Sequence, residues 1–468
     1  MDISKSNLYT LFCTLSQAEL KDLDKALQSP YFNYRNQEVR LFNYLLKAKK
    51  ANHTVIDGND AYKYVFEDKK TDLAKLRHVM TYLSRIINRV LIIQETENEE
   101  EQQKLLLAAI LRKRNLGKQF IQAYTDANTY YDTVAPLSPA LYYNQLQLHT
   151  EYYTYSITNR RAQTDELQRL GDDLDTFYAI QKLKQACNLL SYKNVFKSSH
   201  QPEPIDETLA LIERKKLFDN PLVSLLYYNY LCLSSPDNET YFDQLKDALL
   251  NKSNRVDTKE LRDIFTLAIN YCIKRLNTGG QKYYRHVFEI YAAGLARAVF
   301  EDSGRLSPFT YKNISAIAIG LKEYEWVAAF LEAYKNKLSE DIRDGFYAYC
   351  MARYYFAIAN FNKVSELLQE VEIKEQFTEL DARVLLIKTY YELDEDGLLD
   401  YTIGNLKQQL KRKKLQTYHG EVYKNFAKMV SKLTHLRPYD KKARDAYKQQ
   451  LAATKAIAER DWLTAKIK

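Results

Sequence analysis

Apolar residues recur in alternating steps of three and four along residues 71–91, which is the sharpest local pattern in the chain. The stripe consists of Leu73, Leu76, Met80, Leu83, Ile87 and Val90. A repeat between three and four residues matches the turn of an α-helix, so these side chains share one helix face. The pattern predicts a long amphipathic helix packed on a hydrophobic core.

Shorter apolar patterns before this helix predict three more helices. They cover residues 6–28, 37–49 and 59–67. Turn-forming residues separate them, for example in SPYFN and in NHTVIDGND, where Asp57 and Asn59 precede a helix start. The run QETENEEEQQ at residues 94–103 is acidic and amide-rich, and it breaks the apolar pattern. We therefore expect a small helical N-terminal domain at residues 1–95.

The polar side of the long helix carries three fixed positive charges. Its residues are Lys75, His78, Tyr82, Arg85 and Arg89. A short helix, a turn and a helix with a basic face resemble the helix-turn-helix of winged DNA-binding domains, whose recognition helix enters the major groove. That resemblance implies nucleic-acid contact by these residues. Docking of a partner protein, dimerisation and an ordinary solvated helix face are the alternative interpretations.

Residues 348–371 show two short apolar sets on either side of a break. The first set is Ala348, Met351, Ala352 and Tyr355, and the second is Phe361, Val364, Leu367, Leu368 and Val371. Small residues let two antiparallel helices approach, and large ones fill the groove between them. The stretch resembles the tetratricopeptide repeat, a helix-turn-helix unit of about 34 residues. Met351 and Ala352 match its Leu-Gly pair, and Tyr355 and Phe361 match its aromatic positions.

Two neighbouring stretches, which start at Tyr311 and Ala382, repeat this design. The matching positions are Ile314, Ser315, Ala318, Tyr324, Val327 and Leu331 in one, and Leu386, Ile387, Tyr390, Leu399 and Leu406 in the other. The resemblance implies an all-α fold in which residues 104–468 form a right-handed α-solenoid of antiparallel helix pairs. At family level the chain resembles uncharacterised bacterial proteins with degenerate repeats of this type.

Tyrosine doublets occur throughout the chain, beginning at residues 130, 142, 152, 227, 283, 354 and 390. Adjacent side chains on a helix point in different directions, so one ring can enter the core while its neighbour lies at a helix seam. We expect such packing for most doublets. The alternative interpretation is a tyrosine-lined face that holds a peptide.

Composition narrows the class of protein. The chain has only 12 Gly and 9 Pro residues, which are the residues that tight turns and phosphate-binding loops need. This composition favours helices. No stretch approaches the roughly 18 apolar residues of a membrane span, and the N-terminus lacks the pattern of a secretory signal. The five cysteines are odd in number and widely spaced, as expected for reduced thiols. These features predict a soluble, cytoplasmic protein.

Positive charge is concentrated at the C-terminus. Residues 404–468 contain 17 Lys or Arg and 5 Asp or Glu, a balance of +12 within a chain whose total is +8. A cluster near the end of one predicted helix consists of Lys407, Lys411, Arg412, Lys413 and Lys414. Such a cluster suits an acidic protein segment, an anionic membrane surface or a nucleic-acid backbone, and it also serves solubility. We expect residues 404–468 to form a basic capping region, closed by a last helix at residues 441–467.

The sequence contains no common catalytic or cofactor motif. HExxH, GxxxxGK[ST], GxGxxG and GxSxG are all absent, and none of the seven histidines has a Cys or second His within a helical turn. We therefore expect no enzyme activity, no cofactor and no metal. The leading prediction is a scaffold that binds a protein or peptide partner on a helical-repeat surface. The alternative is a nucleic-acid-binding regulator that uses the basic helix at residues 71–91.

Overall fold

The computed structural model describes residues 1–68, 70–159, 164–196, 205–277, 279–412, 418–436 and 440–467. Within these ranges the fold is all-α, as predicted, apart from one two-stranded hairpin. None of the helices in these ranges combines the length and the apolar character that crossing a membrane requires. The chain divides into two compact units, Met1–Tyr178 and Ala179–Lys468, which are described separately below.

The first unit contains eight complete helices. They are α1 (Asn7–Thr14), α2 (Gln17–Gln28), α3 (Asn36–Lys50), α4 (Gly58–Phe66), α5 (Leu73–Asn98), α6 (Glu100–Lys113), α7 (Gly117–Thr133) and α8 (Pro139–Thr158). The first five share one hydrophobic core, because α5 packs its apolar stripe against α1, α2, α3 and α4. Leu76, Leu83 and Ile87 of that stripe are at most 1% exposed. The predicted amphipathic helix is confirmed, and it is longer than expected.

The predicted helix at residues 6–28 is in fact two helices, so that prediction was wrong. The chain leaves the helical conformation at Leu15 and Ser16, and α2 starts from a capping box. Ser16 Oγ accepts a bond from the Glu19 amide at 3.2 Å, while the Glu19 carboxylate accepts one from the Ser16 amide at 2.6 Å. This reciprocal pair satisfies two amide groups that a new helix start leaves free.

The acidic run at residues 94–103 lies in two helices rather than in a loop. Helix α5 continues to Asn98, and α6 begins at Glu100 after a single non-helical residue, Glu99. The core formed by α1 to α5 ends at residue 90 on α5, with Leu91 packed against it. The domain boundary at residues 95–104 stays a prediction.

Helix α9 (Thr164–Phe196) contains the division between the units, and fourteen labelled helices follow among the residues that the structure describes. They are α10 (Asp206–Lys215), α11 (Pro221–Ser234), α12 (Glu239–Asp247), α13 (Thr258–Asn277), α14 (Tyr283–Ala296), α15 (Pro308–Gly320), α16 (Tyr324–Tyr334), α17 (Arg343–Ala357), α18 (Phe361–Glu370), α19 (Gln376–Glu392), α20 (Asp396–Arg412), α21 (Tyr418–Leu433), α22 (Lys441–Ala453) and α23 (Arg460–Ala465). From α11 to α20, each odd-numbered helix contacts the helix that follows it, and α15, α17 and α19 also contact in sequence. The right-handed solenoid stays a prediction.

The three sequence stretches that resemble repeats each form a pair of helices. In the pair α17 and α18, Ala352 and Val364 are fully buried, and the break falls at Ile358 to Asn360 as predicted. Ala359 adopts the left-handed conformation with φ of 58°, and the Asn360 side chain accepts from the Lys363 amide at the start of α18. A left-handed residue followed by an Asn cap is a common way to end one helix and start the next.

The one strand pair of the described residues interrupts the helices after α14. Strands β1 (Glu301–Asp302) and β2 (Arg305–Leu306) are antiparallel. Their two-residue turn places Ser303 and Gly304 at φ of 50° and 76°, the positive angles that a tight hairpin turn needs. Four strand residues are too few to produce an alternating pattern, so no local pattern in the sequence predicts this hairpin.

The C-terminus also differs from expectation. The predicted last helix at residues 441–467 is two helices, because the chain turns between Thr454 and Glu459 and Glu459 has a φ of 52°. Trp462 on α23 packs edge-on against Tyr391 and donates its indole N–H to the Glu392 carboxylate at 2.7 Å. Helix α23 is therefore held on the end of α19 and closes the last hydrophobic core.

Most tyrosine doublets pack as expected. Four doublets have one buried ring beside a half-exposed one, and their buried members are Tyr131, Tyr227, Tyr283 and Tyr390. The doublets at residues 142, 152 and 354 have no fully buried ring. The buried members of the four doublets serve packing.

Candidate functional site

The structure leaves the whole polar stripe of α5 on the surface. Lys75, His78, Tyr82, Arg85 and Arg89 are all exposed, as the pattern predicts. Tyr82, Arg85 and Arg89 line a pocket together with the loop between α2 and α3, whereas Lys75 and His78 do not. That pocket has a volume of about 220 Å³. It is called the arginine pocket below.

Aromatic rings and guanidinium groups alternate around the arginine pocket. The Arg35 guanidinium lies 4.3 Å from the centre of the Tyr82 ring, and Arg89 lies 4.5 Å from the Tyr31 ring. Tyr31 and Tyr34 on the loop are 73% and 84% exposed. Among the described residues Arg35, Arg85 and Arg89 form no ion pair, and Arg89 donates to the Tyr31 backbone oxygen at 3.4 Å. These three charges therefore remain available to a ligand.

The loop that completes the pocket is held in place by Asn33. The Asn33 amide group donates to the backbone oxygens of Leu27 and Arg35 at 2.9 and 2.8 Å. Its side-chain oxygen accepts from the Arg35 amide at 3.0 Å. Because Asn33 is itself buried, these bonds fix the loop before any ligand binds.

A buried acid forms one wall of the arginine pocket. Glu38, in the first turn of α3, is 1% exposed, and neither of its carboxyl oxygens has a hydrogen-bond partner in the part of the chain that the structure describes. Burial raises the pKa of the Glu38 carboxyl, and its own nearby backbone amide and the positive charge of Arg35 offset part of that rise. An unpartnered buried polar group of this type costs roughly 1–3 kcal/mol.

The basic cluster at the C-terminus is only partly covered by the structure. Lys407, Lys411 and Arg412 lie on α20, whereas Lys413 and Lys414 are outside the described residues. Lys407 donates to Ser431 on α21 at 2.8 Å. It also lines a cavity of about 600 Å³ that includes Lys428, Lys432 and His435. Lys411 and Arg412 are exposed and do not reach this cavity.

A larger groove lies between α18, α19 and α20, with a volume of about 620 Å³. It is called the repeat groove below. Its walls combine aliphatic and polar residues, and its lining includes Leu368, Gln369, Val371, Ile373, Arg383, Leu386, Tyr390, Leu398, Tyr401 and Asn405. On α20, Tyr401 is 69% exposed and Leu398 is 43% exposed. Exposed apolar side chains beside a concave surface are typical of a binding site.

Two polar contacts shape the repeat groove. The Gln369 amide donates to the Tyr390 hydroxyl at 2.7 Å, and Arg383 pairs with Glu379 at 3.0 Å. The Arg383 Nε is buried and has no hydrogen-bond partner among the described residues. A peptide carbonyl in the groove is the kind of acceptor that this N–H lacks.

Two ion pairs join separate segments of the second unit. The Lys312 ammonium on α15 contacts the Asp381 carboxylate on α19 at 2.5 Å, and the Tyr423 hydroxyl on α21 donates to the same carboxylate at 2.7 Å. Lys388 on α19 pairs with Glu459 at 2.7 Å. These contacts link helices from different pairs. They are structural connections that no local sequence pattern could predict.

The first unit contains a His–Asp pair that the sequence analysis missed. His149 is 3% exposed, its Nδ1 contacts the Asp173 carboxylate, and its Nε2 lies 2.8 Å from the Asn128 side-chain oxygen. Both ring nitrogens are therefore engaged by the protein. This arrangement fixes the packing of α7, α8 and α9 rather than presenting a base to a substrate.

Cysteine and metal chemistry find no support in the described ranges. No group of three or more His, Cys, Asp or Glu side chains there is placed to hold a metal ion. Burial raises the pKa of Cys187, Cys232 and Cys272 to about 12 and that of Cys350 to about 11, so these thiols are weak nucleophiles. Cys13 is exposed.

Sequence reasoning missed the residues that complete both pockets. Glu38 and Arg35 are separated by about fifty residues from Arg85 and Arg89, and only the packing of α3 on α5 brings them together. A usable signal was present, since SPYFNYR places three aromatic residues and an arginine in one turn. Comparison of the chain with family models, curated proteins and solved structures gave no match.

Proposed function

We propose that the protein is a non-catalytic binding protein that holds a peptide segment of a partner in the repeat groove. One observation carries the proposal: three consecutive helices enclose a groove of about 620 Å³ whose α20 wall exposes Tyr401 and Leu398. Ligand sites in proteins are commonly about 300–1,000 Å³ and largely apolar, with a few fixed polar groups. The groove lies within this range of volume, and its lining combines apolar side chains with polar ones.

The lining also indicates which kind of peptide fits. Its charged residues are balanced, because Glu372 and Glu379 stand beside Lys374 and Arg383. A strongly acidic or basic segment therefore gains little from the groove. An uncharged segment with one or two large apolar anchors gains more, because those anchors bury beside Leu398 and Tyr401 and a backbone carbonyl can accept from Arg383. The same groove would be one element of the predicted solenoid surface.

Selection from a displayed library of short peptides tests the proposal. The full chain should enrich peptides with a shared apolar anchor. Tyr401→Ala or Leu398→Asp should weaken their binding by about tenfold, as expected for interface anchors. Phe309→Ala is the matched control, because Phe309 is an aromatic residue of the same unit that is 53% exposed and lies outside the groove. Peptides that bind the Tyr401 and Leu398 variants as well as the unchanged protein would rule out the groove.

A further inference from the structure

The arginine pocket offers three recognition elements at once, and it belongs to a different unit from the repeat groove. Within the described residues it has guanidinium groups that form no ion pair, exposed aromatic rings and a buried acid without a hydrogen-bond partner. We propose that this pocket binds an unpaired guanine base of a single-stranded nucleic acid, with Arg35, Arg85 and Arg89 at its phosphates and Glu38 at its Watson–Crick edge. The proposal does not rest on the repeat groove.

The arginines and the tyrosines together favour a nucleic acid over other anions. Guanidinium groups contact phosphates, and nucleobases stack on aromatic rings or on guanidinium planes. Tyr31, Tyr34 and Tyr82 offer ring faces beside the three arginines. A simple phosphate or carboxylate ligand would use the charges alone, whereas a nucleobase can also stack on the rings or on the guanidinium planes.

Glu38 favours a nucleic acid over an acidic peptide as the ligand of the pocket. The acidic or phosphorylated side chains of a peptide bring acceptors and negative charge close to Glu38, and these would leave its carboxylate unpaired or repelled. A nucleobase brings N–H donors. Guanine offers two adjacent donors, N1–H and the N2 amino group, that match the two oxygens of one carboxylate. Both Glu38 oxygens lack partners among the described residues and are buried, so a base that displaces the side chains covering them satisfies both oxygens together.

The shape of the pocket indicates a single strand. At about 220 Å³ it is below the usual range of about 300–1,000 Å³ for whole ligands, so it suits one ring system rather than a large molecule. Its walls come from α3, α5 and the loop between α2 and α3, so a base must leave its stack to reach Glu38. This geometry differs from the predicted helix-turn-helix contact, in which α5 would lie in the major groove of a duplex.

Fluorescence anisotropy with the full chain tests the proposal. The probes are a labelled uridine-rich RNA with one guanine and the same strand with adenine at that position. The guanine strand should bind about tenfold more tightly, the discrimination typical of one bidentate contact. Three phosphate contacts should give a slope of roughly −2 for the logarithm of affinity against the logarithm of salt concentration, at about 0.7 per contact.

Three variants assign the effect to the pocket. Arg85→Ala and Arg89→Ala should weaken both strands and make the salt slope shallower. Glu38→Gln should retain adenine-strand binding and lose the guanine preference. Arg77→Ala is the control, because Arg77 is exposed on α5 and does not line the pocket. Circular dichroism melting establishes that each variant is folded. If Glu38→Gln does not fold, the test relies on Arg85→Ala and Arg89→Ala, whose original side chains are exposed.

Several results would overturn the proposal. The unchanged protein could bind neither strand, or bind both equally. Arg77→Ala could weaken binding as much as Arg89→Ala, which would indicate general charge attraction. Polyglutamate could displace the guanine strand as well as unlabelled RNA does, which would assign the pocket to acidic peptides.

Discussion

The ion pair between Lys312 and Asp381 gives the sharpest stability prediction. It joins α15 to α19, two helices from different pairs, and the exposed fractions of its side chains are 18% and 27%. Exposed ion pairs contribute about 0.2–1 kcal/mol, whereas breaking a buried pair costs about 3–5 kcal/mol. This partly buried pair lies between those cases. We expect Asp381→Asn to lower the free energy of unfolding by about 1–3 kcal/mol, because Lys312 loses its carboxylate.

A double-mutant cycle isolates the pair. Lys312→Met keeps most of the apolar stem, and Asp381→Asn keeps an oxygen that can accept from the Tyr423 hydroxyl. The double variant should be less destabilised than the sum of the single variants, with a coupling energy of about 1–2 kcal/mol. Urea unfolding followed by tryptophan fluorescence is the assay, since both tryptophans, Trp326 and Trp462, lie in the second unit. A coupling below about 0.3 kcal/mol, the usual limit of additivity, would refute the contact.

Three further predictions concern packing, thiols and pH. Ala352→Leu should lower the free energy of unfolding by about 1–3 kcal/mol, because the larger side chain overpacks a fully buried position on α17. The same change at the exposed Ala452 should leave the free energy of unfolding in urea nearly unchanged. Iodoacetamide at neutral pH should label Cys13 before the four buried cysteines, whose thiols stay protonated, as read by mass spectrometry. Burial raises the pKa of Glu38 above its ordinary value of 4.5, so its contribution to stability is present at low pH and is lost as pH rises. Glu38→Gln should therefore raise the melting temperature at about pH 7 more than at about pH 4; an equal effect at both would contradict the burial of an ionisable Glu38.

Local periodicity predicted the helices well. The stripe of α5 is buried as expected, and so are Ala352, Val364, Ile387 and Leu406 in the repeat-like pairs. Such positions can be recognised because helical spacing is a property of neighbouring residues. The helix breaks were harder to predict. Ser16 and Glu19 have the spacing of a capping box, but helix-forming residues continue on both sides of it and hide the break.

The candidate sites combine residues from separate helices, and only the residues that share one helix face could be predicted. Tyr82, Arg85 and Arg89 followed from the polar face of one helix. Glu38 did not, because an isolated glutamate at a helix start usually serves the helix dipole and remains solvated. The same limit applies to the repeat groove, whose walls come from α18, α19 and α20. One sequence does not show which faces of separate helices meet.

Site-specific photocrosslinking in the native cells tests the proposed function most directly. A benzoylphenylalanine residue at position 401 places the reactive group at the rim of the repeat groove, and the same residue at position 309 serves as the control outside it. The proposed function predicts one or a few discrete protein adducts at position 401 that are missing at position 309. No adduct at position 401, or the same adducts at both positions, would contradict the assignment of the repeat groove as the site that binds a partner.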